Sequence, residues 1–442
     1  MARRVVITGM GWITPLGLSV QEGWRRLLAG DHGFGPVTRF DASTFATNFA
    51  AEVKGFRLED HIPDSAKHEG AEVSTRFALA AASQAWKQSG LDRAPALDTS
   101  RVGMYLGAGE GSLDYQKLAY ANLSAYDSAS RKLSDAKWGA AAMSRSNPRA
   151  EVEQEPNATL GHLAMEFPVR GPAFNCMTAC AASTQAVGEA CEIIRHGDAD
   201  VMLGGGTHSM IHPLGMTGFV RLTAMSTRRD DPVHASRPFS ADRDGFVMGE
   251  GAGIVVLEAL EHALARGATP LAEIAGYGSS ADAFRITDIH SDGKGAVAAM
   301  SQACRQAGIN PREPGEDGRP QVHYISAHGT GTQENDRIET IAVKTLFGPL
   351  AGKVPFSSVK SQLGHLIQAA GAVELITCVQ AMRTGILPAT MNLSTPDPEC
   401  DLDYVPNAAR DVNAQGGVDV CLSNSFGFGG QNNTICVRKW RG

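Results

Sequence analysis

No apolar run in this 442-residue chain approaches the ~20 residues that a membrane-spanning helix needs; the longest, around Gly253–Leu257 and Phe77–Ala82, are far shorter. Neither sign of charge is in large excess. Lys plus Arg number 40 against 47 Asp plus Glu, a net charge of −7, which makes no electrostatic case for nucleic acid or an anionic membrane surface. The eight cysteines are scattered and lack the spacing of a disulfide framework. Met1-Ala2-Arg3-Arg4 leads straight into Val5–Gly9, too short for the core of a secretory signal and without a cleavage site after it, so a cytoplasmic location is expected. No repeat of 20–50 residues is visible, which excludes solenoids and propellers.

What is present points to a large folded body. Hydrophobic residues make up 43% and charged residues 20%, so the chain can bury a core and is not disordered. At about 150 residues per domain, 442 residues suggest two or three folding units. Glycine is abundant, 49 of 442 residues, against a usual share of about 7%. The glycines have no period and stand beside apolar runs, as tight turns and close backbone approaches require.

Seven runs read as buried strands: Val5–Gly9, Val102–Leu106, Val201–Gly206, Ile254–Leu257, Val322–Ala327, Val354–Val359 and Val418–Leu422. Helical segments lie between them, including Val73–Ser89, Ser183–His196, Gly295–Ala307, Arg337–Phe347 and Ala369–Arg383. This alternation predicts an α/β protein with a largely parallel core sheet. Near the end, Val418–Leu422 and Asn433–Lys439 flank Ser423–Gly430, read as a glycine-rich loop between two adjacent strands. Ser124–Glu155 is polar with few strand or core-helix signals and is read as a surface excursion; Asp282–Asp292 and Asn310–Pro320 read as loops. The chain is expected to form one body of two α/β halves.

Chemistry-bearing residues fall at strand-to-helix junctions, where α/β sheets bind ligands. Phe174–Thr184 runs from the Gly171-Pro172 turn into a helix of small residues, which places Cys180 at a helix N-terminus, where the dipole and free N–H groups favour a thiolate. A buried inert cysteine is the competing reading, and Cys176 and Cys180 at i, i+4 are poor zinc ligands beside the tighter Cys-x-x-Cys turn, so no metal is expected. His328 stands on His328-Gly329-Thr330-Gly331-Thr332 just past a strand, and Lys360-Ser361-Gln362-Leu363-Gly364-His365 opens another helix. One cysteine and two histidines suit carbanion chemistry on thioesters: the thiolate takes an acyl group, and two imidazole N–H donors hold a developing enolate oxygen. A thiol hydrolase would need only one histidine.

Together with Val5-Val6-Ile7-Thr8-Gly9-Met10-Gly11, Thr178–Ser183, Arg237-Pro238-Phe239, Asp242–Phe246 and Asn424–Gly430, these segments make the chain resemble the β-ketoacyl-acyl-carrier-protein synthases over nearly its whole length, most closely the type II condensing enzymes and related polyketide ketosynthases. The resemblance implies a thiolase-like five-layer α-β-α-β-α sandwich, with one half at 1–258, carrying an insertion near 112–155, and the other at 259–442, assembled as a homodimer. It implies an acyltransferase in which Cys180 is acylated, His328 and His365 bind the malonyl thioester carbonyl, and Lys360 orients them with Glu374 as ion partner. By the same resemblance, the backbone N–H groups of Cys180 and Phe428 form an oxyanion hole, and Phe428 gates the acyl tunnel on its glycine hinge. Thr330 and Thr332 contact the phosphopantetheine arm, and Arg228 and Arg229 face the acidic acyl carrier protein. Phe426 reads more simply as a core aromatic beside the substrate, and no cofactor is expected beyond the phosphopantetheine that arrives on the carrier. Other readings are a polyketide or specialised-lipid ketosynthase and a non-condensing chain-length-factor-like subunit, which would lack the cysteine; a thiolase would carry a second active cysteine near the C-terminus. One departure stands out. Glu110, after Val102–Leu106, falls where the fatty-acid enzymes usually hold an apolar tunnel residue, which implies either a shortened pocket, a polar acyl chain, or an arginine partner at the dimer interface.

Overall fold

The computed structural model describes residues 3–94, 97–109, 114–287 and 289–442. Ten strands form its main sheet: β1 (Val5–Ile13), β2 (Val102–Gly107), β3 (Ala173–Cys176), β4 (Val201–His208), β5 (Gly251–Ala259), β6 (Ala272–Ala281), β7 (Tyr324–Ser326), β8 (Phe356–Ser357), β9 (Val420–Gly427) and β10 (Gln431–Lys439). Their spatial order is β8-β7-β9-β10-β6-β1-β5-β4-β2-β3. Numbered within its own half, each set of five runs third, second, fourth, fifth, first; the fold is one pattern used twice, joined where β1 pairs with β6.

The sheet is not largely parallel. Pairing is parallel only at the two ends (β7 with β8 and β9, β2 with β3 and β4), while β4-β5-β1-β6-β10-β9 runs antiparallel. Strand direction was hidden because β1, β4 and β5 are buried along their whole length, so they show no alternation from which a face or a partner can be read.

Helices cover both faces and fill the middle. α1 (Val73–Ser89) packs on β1 and β5; its counterpart in the second half, α8 (Lys294–Gln306), packs on β6 and β10. Between the two half-sheets lie α6 (Ala182–His196) and α10 (Ala370–Thr384), in contact with each other. With α9 (Gln333–Phe347) beside α8, the layers run helix, sheet, helix pair, sheet, helix. The middle layer is built of small residues because two backbones pass closely there. Ala372 N–H donates to Ser183 Oγ at 3.0 Å, and Thr184 Oγ1 lies 2.7 Å from Ser425 Oγ of β9. At Gly371 a Cβ would stand 1.9 Å from Thr184 Oγ1.

Three local expectations are corrected. Asn424–Gly427 belongs to β9, not to a loop: Asn424 and Ser425 spend their side chains on buried partners, and the hairpin turn is confined to Phe428–Gly430. The polar excursion is mostly helical, with α2 (Tyr115–Ala125), α3 (Asp135–Ser144) and α4 (Pro148–Glu153) started by Asp114, Ser134 and Asn147 side-chain caps; α5 (Ala158–Glu166) follows. Strand β8 is only two residues long, because the chain turns into a short helix at Lys360–Leu363. α7 (Pro213–Arg221) completes the elements used below.

Gly371→Ala should lower the unfolding free energy by about 1–3 kcal/mol through overpacking at the α6–α10 crossing. Denaturant unfolding measures this; unchanged stability would mean that the helices do not pass as closely as described.

Candidate active site

Cys180 sits in a 3-10 turn, Ala179–Ala181, that feeds directly into α6. Ala179 has φ +47°, a left-handed conformation that costs a non-glycine residue strain and that holds the thiol at the helix end. Small residues let the turn sink: Gly427 has no side chain because a Cβ there would lie 2.8 Å from Thr178 O. In the second half, Ile367 at φ +42° opens the 3-10 turn Ile367–Ala369 into α10 in the same manner. Two residues before it, His365 is pinned by its backbone, its N–H donating to Val247 O and its carbonyl accepting from Gly249 N–H.

These two helix starts meet. Cys180 Sγ and one ring nitrogen each of His328 and His365 lie within 4.8 Å of one another, and all three residues are buried. His328 and His365 rings cross edge to face at 5.5 Å, and Phe426 packs on His328 at 5.8 Å. A cavity of about 200 Å³ opens on this cluster, lined also by Thr330, Thr332, Phe426 and Phe428. Phe428 is half-buried and is followed by Gly429 and Gly430, both with positive φ. Thr330 and Thr332 hydroxyls are 2.9 Å apart.

Lys360 and Glu374 stand behind the cluster. The Lys360 ammonium donates to His328 O at 2.6 Å and pairs with the Glu374 carboxylate, both groups almost fully buried. Burial raises Glu374 to about 7, against the opposing pull of Lys360. Burial, with Lys360 adding like charge, holds His328 and His365 well below the ordinary histidine value, so both rings are neutral. Ile367 N–H donates to His365 Nδ1 at 3.2 Å, which leaves the proton on Nε2. Among the described residues, neither that buried Nε2 nor the buried His328 Nδ1 has a hydrogen-bond partner. The cysteine–histidine–histidine set is spaced closely enough for a metal ion, but a ring whose Nε2 carries the proton offers the cavity a donor, not a lone pair. Such a site fits an incoming oxygen. Cys176 is elsewhere engaged: its thiol donates to Ala182 O, and burial pushes it up to about 12.

Arg228 and Arg229 are outside the cavity lining. Arg228 pairs with Asp242 at 3.0 Å and Arg229 donates to Ser43 O, although Leu222–Ala224 of the same segment do line the cavity. Glu110 lies outside the described residues. Sequence reasoning missed two buttresses on α9. Glu339, fully buried and raised to about 7 by burial, accepts the backbone N–H groups of His328 and Gly329 at 2.9 and 2.8 Å and the Asn424 amide at 3.2 Å. Asp336 accepts from Gly331 N–H and Phe239 N–H. The available signal was their place on the buried stripe of α9 with Ile338, Ala342, Val343 and Leu346, where a carboxylate needs a reason.

Known proteins match the chain over nearly its whole length. Residues 2–263 match the model of the β-ketoacyl synthase N-terminal domain, and residues 271–394 that of the C-terminal domain. The chain belongs to the β-ketoacyl synthase family. Among relatives of this synthase, the 3-oxoacyl-[acyl-carrier-protein] synthase 2 of Coxiella burnetii is 41% identical over 437 residues, and that of Synechocystis 40% over 443, each alignment covering 99% of both chains. Among solved structures, a β-ketoacyl synthase from Burkholderia phymatum superposes with TM-score 0.85 at 31% identity, covering 99% of this chain and 100% of that one. A type II polyketide acyl-carrier protein in complex with its ketosynthase bound to the hexaketide gives TM-score 0.84 at 30% identity, with both chains fully covered.

A histidine held neutral in the fold takes up its proton only on unfolding. Stability is therefore full above the ordinary histidine value near 6.5 and falls as the pH drops below it, by about 1.4 kcal/mol per pH unit per ring. The double substitution His328→Asn/His365→Asn should make the acid slope of the unfolding free energy shallower by about 2.7 kcal/mol per pH unit between roughly pH 6 and 5. An unchanged slope in denaturant titrations would mean the rings are already charged in the folded protein.

Proposed function

We propose that the protein catalyses decarboxylative condensation of a Cys180-bound acyl group with malonyl-acyl-carrier protein, yielding 3-oxoacyl-carrier protein, CO2 and free carrier, as in fatty-acid chain elongation. The observation that carries this reading is the convergence of one thiol and two neutral imidazoles on one buried cavity. The Cys180 thiolate, favoured at the start of α6, attacks the acyl thioester carbonyl; the carrier leaves as a thiolate and takes the proton the cysteine gave up. Malonyl thioester then replaces it, with its carbonyl oxygen toward the ring nitrogens of His328 and His365 that lie within 4.8 Å of Cys180 Sγ. The malonyl C–C bond breaks, CO2 departs, and the electron pair becomes an enolate whose oxygen the imidazoles stabilise. The enolate carbon attacks the acyl-Cys180 carbonyl, the C–S bond breaks, and the thiolate is regenerated. Neutral rings suit this step, since their N–H donates a hydrogen bond but is too weak an acid to protonate the enolate.

The roles of the remaining residues follow from placement. Lys360, on the His328 carbonyl and Glu374, positions the imidazoles. Phe428, on its glycine hinge beside the Cys180 turn, gates the acyl path, and its N–H and that of Cys180 serve the acyl oxyanion. Thr330 and Thr332 meet the phosphopantetheine arm, which arrives on the carrier, so the enzyme needs no cofactor of its own. Carrier docking at Arg228 and Arg229 is supported by their position just beyond Leu222–Ala224, which line the cavity. A homodimer is supported by β3, an outermost strand on which Phe174 is about half exposed, as is Met177 just after it, an edge that invites pairing. No helix among the described residues is long and apolar enough to cross a membrane, which accords with a cytoplasmic enzyme.

Purified protein given acyl-carrier and malonyl-carrier protein should release CO2 and form the 3-oxoacyl product. Cys180→Ala should abolish condensation, and mass spectrometry of the wild type should find one acyl adduct, on Cys180; an adduct on Cys176 would overturn the assignment. His328→Ala and His365→Ala should each slow decarboxylation by roughly 10²–10³ through loss of about 3–4 kcal/mol of stabilisation, while Cys180 still acylates. Condensation at the wild-type rate by either variant would refute the two-histidine step.

A further inference from the structure

A second buried histidine pair, which the proposed condensation does not use, joins the polar excursion to the body of the protein. His68 ends the 3-10 turn Ser65–His68, and His162 lies on α5. The His68 side chain is fully buried and that of His162 is nine-tenths buried. Their Nδ1 atoms are 2.9 Å apart. The outer nitrogens face carboxylates: His68 Nε2 lies 3.3 Å from Glu166, and His162 Nε2 lies 3.0 and 3.1 Å from the two oxygens of Glu153 on α4. Lys67 closes the far end on Glu166 at 2.6 Å. Of the charged groups on neighbouring elements, Arg76 of α1 donates to Ala71 O, and Arg149 of α4 lies against Gly70.

Counting protons decides the state of the pair. A ring nitrogen facing a carboxylate oxygen must carry a proton, because two lone pairs at 3 Å repel. That accounts for both Nε2 atoms and leaves each Nδ1 with a lone pair. At 2.9 Å the two Nδ1 atoms also need a proton between them. Two neutral rings supply two protons, and the arrangement requires three. The third does not belong to Glu153, since a carboxylic acid donates from one oxygen, whereas His162 Nε2 is almost equidistant from both.

We propose that His68 and His162 form a buried proton-binding site holding three protons on two rings, with His162 as the imidazolium, and that this proton latches the excursion to the body. The charges then cancel: Glu153 and Glu166 against Lys67 and one imidazolium. Burial, joined by the like charge of His162 and Lys67, lowers His68, which makes it the neutral acceptor; Glu166, despite burial, is held below the ordinary carboxylate value by Lys67 and His68. Loss of the proton as the pH rises leaves either two Nδ1 lone pairs facing each other or an Nε2 lone pair facing a carboxylate. Each outcome removes one buried hydrogen bond and adds a repulsion. The strain falls on α4, which is tied to α2 by the Lys117–Glu151 ion pair and, through Gln154, to the Asp114 N–H at the start of the excursion. The excursion thus loosens at high pH and is held at low pH.

Neutron diffraction from deuterium-exchanged crystals of the full chain near pH 6.5 reads the site directly. Three deuterons on the two rings are expected; two deuterons, or a metal ion between the Nδ1 atoms, would overturn the proposal. In solution, hydrogen exchange of residues 148–166, corrected for the intrinsic rate, should reveal opening that rises about tenfold between pH 7 and 9, within the limit of about tenfold per pH unit set by loss of one proton. Residues 73–89 serve as the internal control and should show no such rise. Glu153→Gln, which keeps the side-chain shape and removes the demand for the third proton, and His162→Gln should both abolish the step. A flat wild-type profile, or a step of equal size in the two variants, would disprove the latch.

Discussion

Everything at the reaction centre depends on how closely α6 and α10 pass each other. A larger residue at Gly371 would collide with Thr184, and one at Gly206 with Gln368 O and Ser183. Because the crossing is tight, the N-terminal ends of both helices reach the same cavity, one bringing Cys180 and the other His365. The third member, His328, comes from the turn after β7 and is held from two sides: Lys360 grips its carbonyl and Glu339 its N–H. A shift of either helix would separate groups that lie within 4.8 Å of one another, and a misplacement of about 1 Å is enough to slow a reaction that depends on their alignment.

The electrostatics follow from the same burial. A lone ammonium at the Lys360 position would be prohibitively costly, and Glu374 offsets it. Yet the pair is not electrically silent to its neighbours, since Lys360 adds to burial in keeping both imidazoles uncharged. The cavity therefore offers neutral donors backed by a fixed positive charge. In the condensation proposed above, that combination would stabilise a developing enolate without presenting an acidic proton that would quench it.

Much of this was legible in the residues. Helix α1 could be read to both ends, because its alanine-rich stretch stops at Gly90, whose φ of +74° closes the last turn. Cys180, His328, Lys360 and His365 were visible because each sits beside glycine or small residues at a junction. Strand direction was not visible, since a strand buried on both faces looks the same whichever way it runs. Asn424–Gly427 was hidden by its polarity, which suggests a loop until Thr184, Thr434 and Glu339 supply partners from distant parts of the chain. Glu339 itself looks like an ordinary charge on an amphipathic helix; only the buried side of α9 shows that it supports the histidine turn. In each case what was missing was a contact made across the fold.

The repetition of strand order has a consequence for how such a protein can be divided. Ala179 and Ile367 mark equivalent strained helix starts, but the residue that follows is Cys180 in one half and Gln368 in the other. Both histidines lie in the second half and the thiol in the first. Neither copy therefore holds all three of the groups that meet at the cavity. Halves made as separate chains could regain chemistry only by reassembling across the α6–α10 contact, much as two fragments of a reporter glow only when reunited.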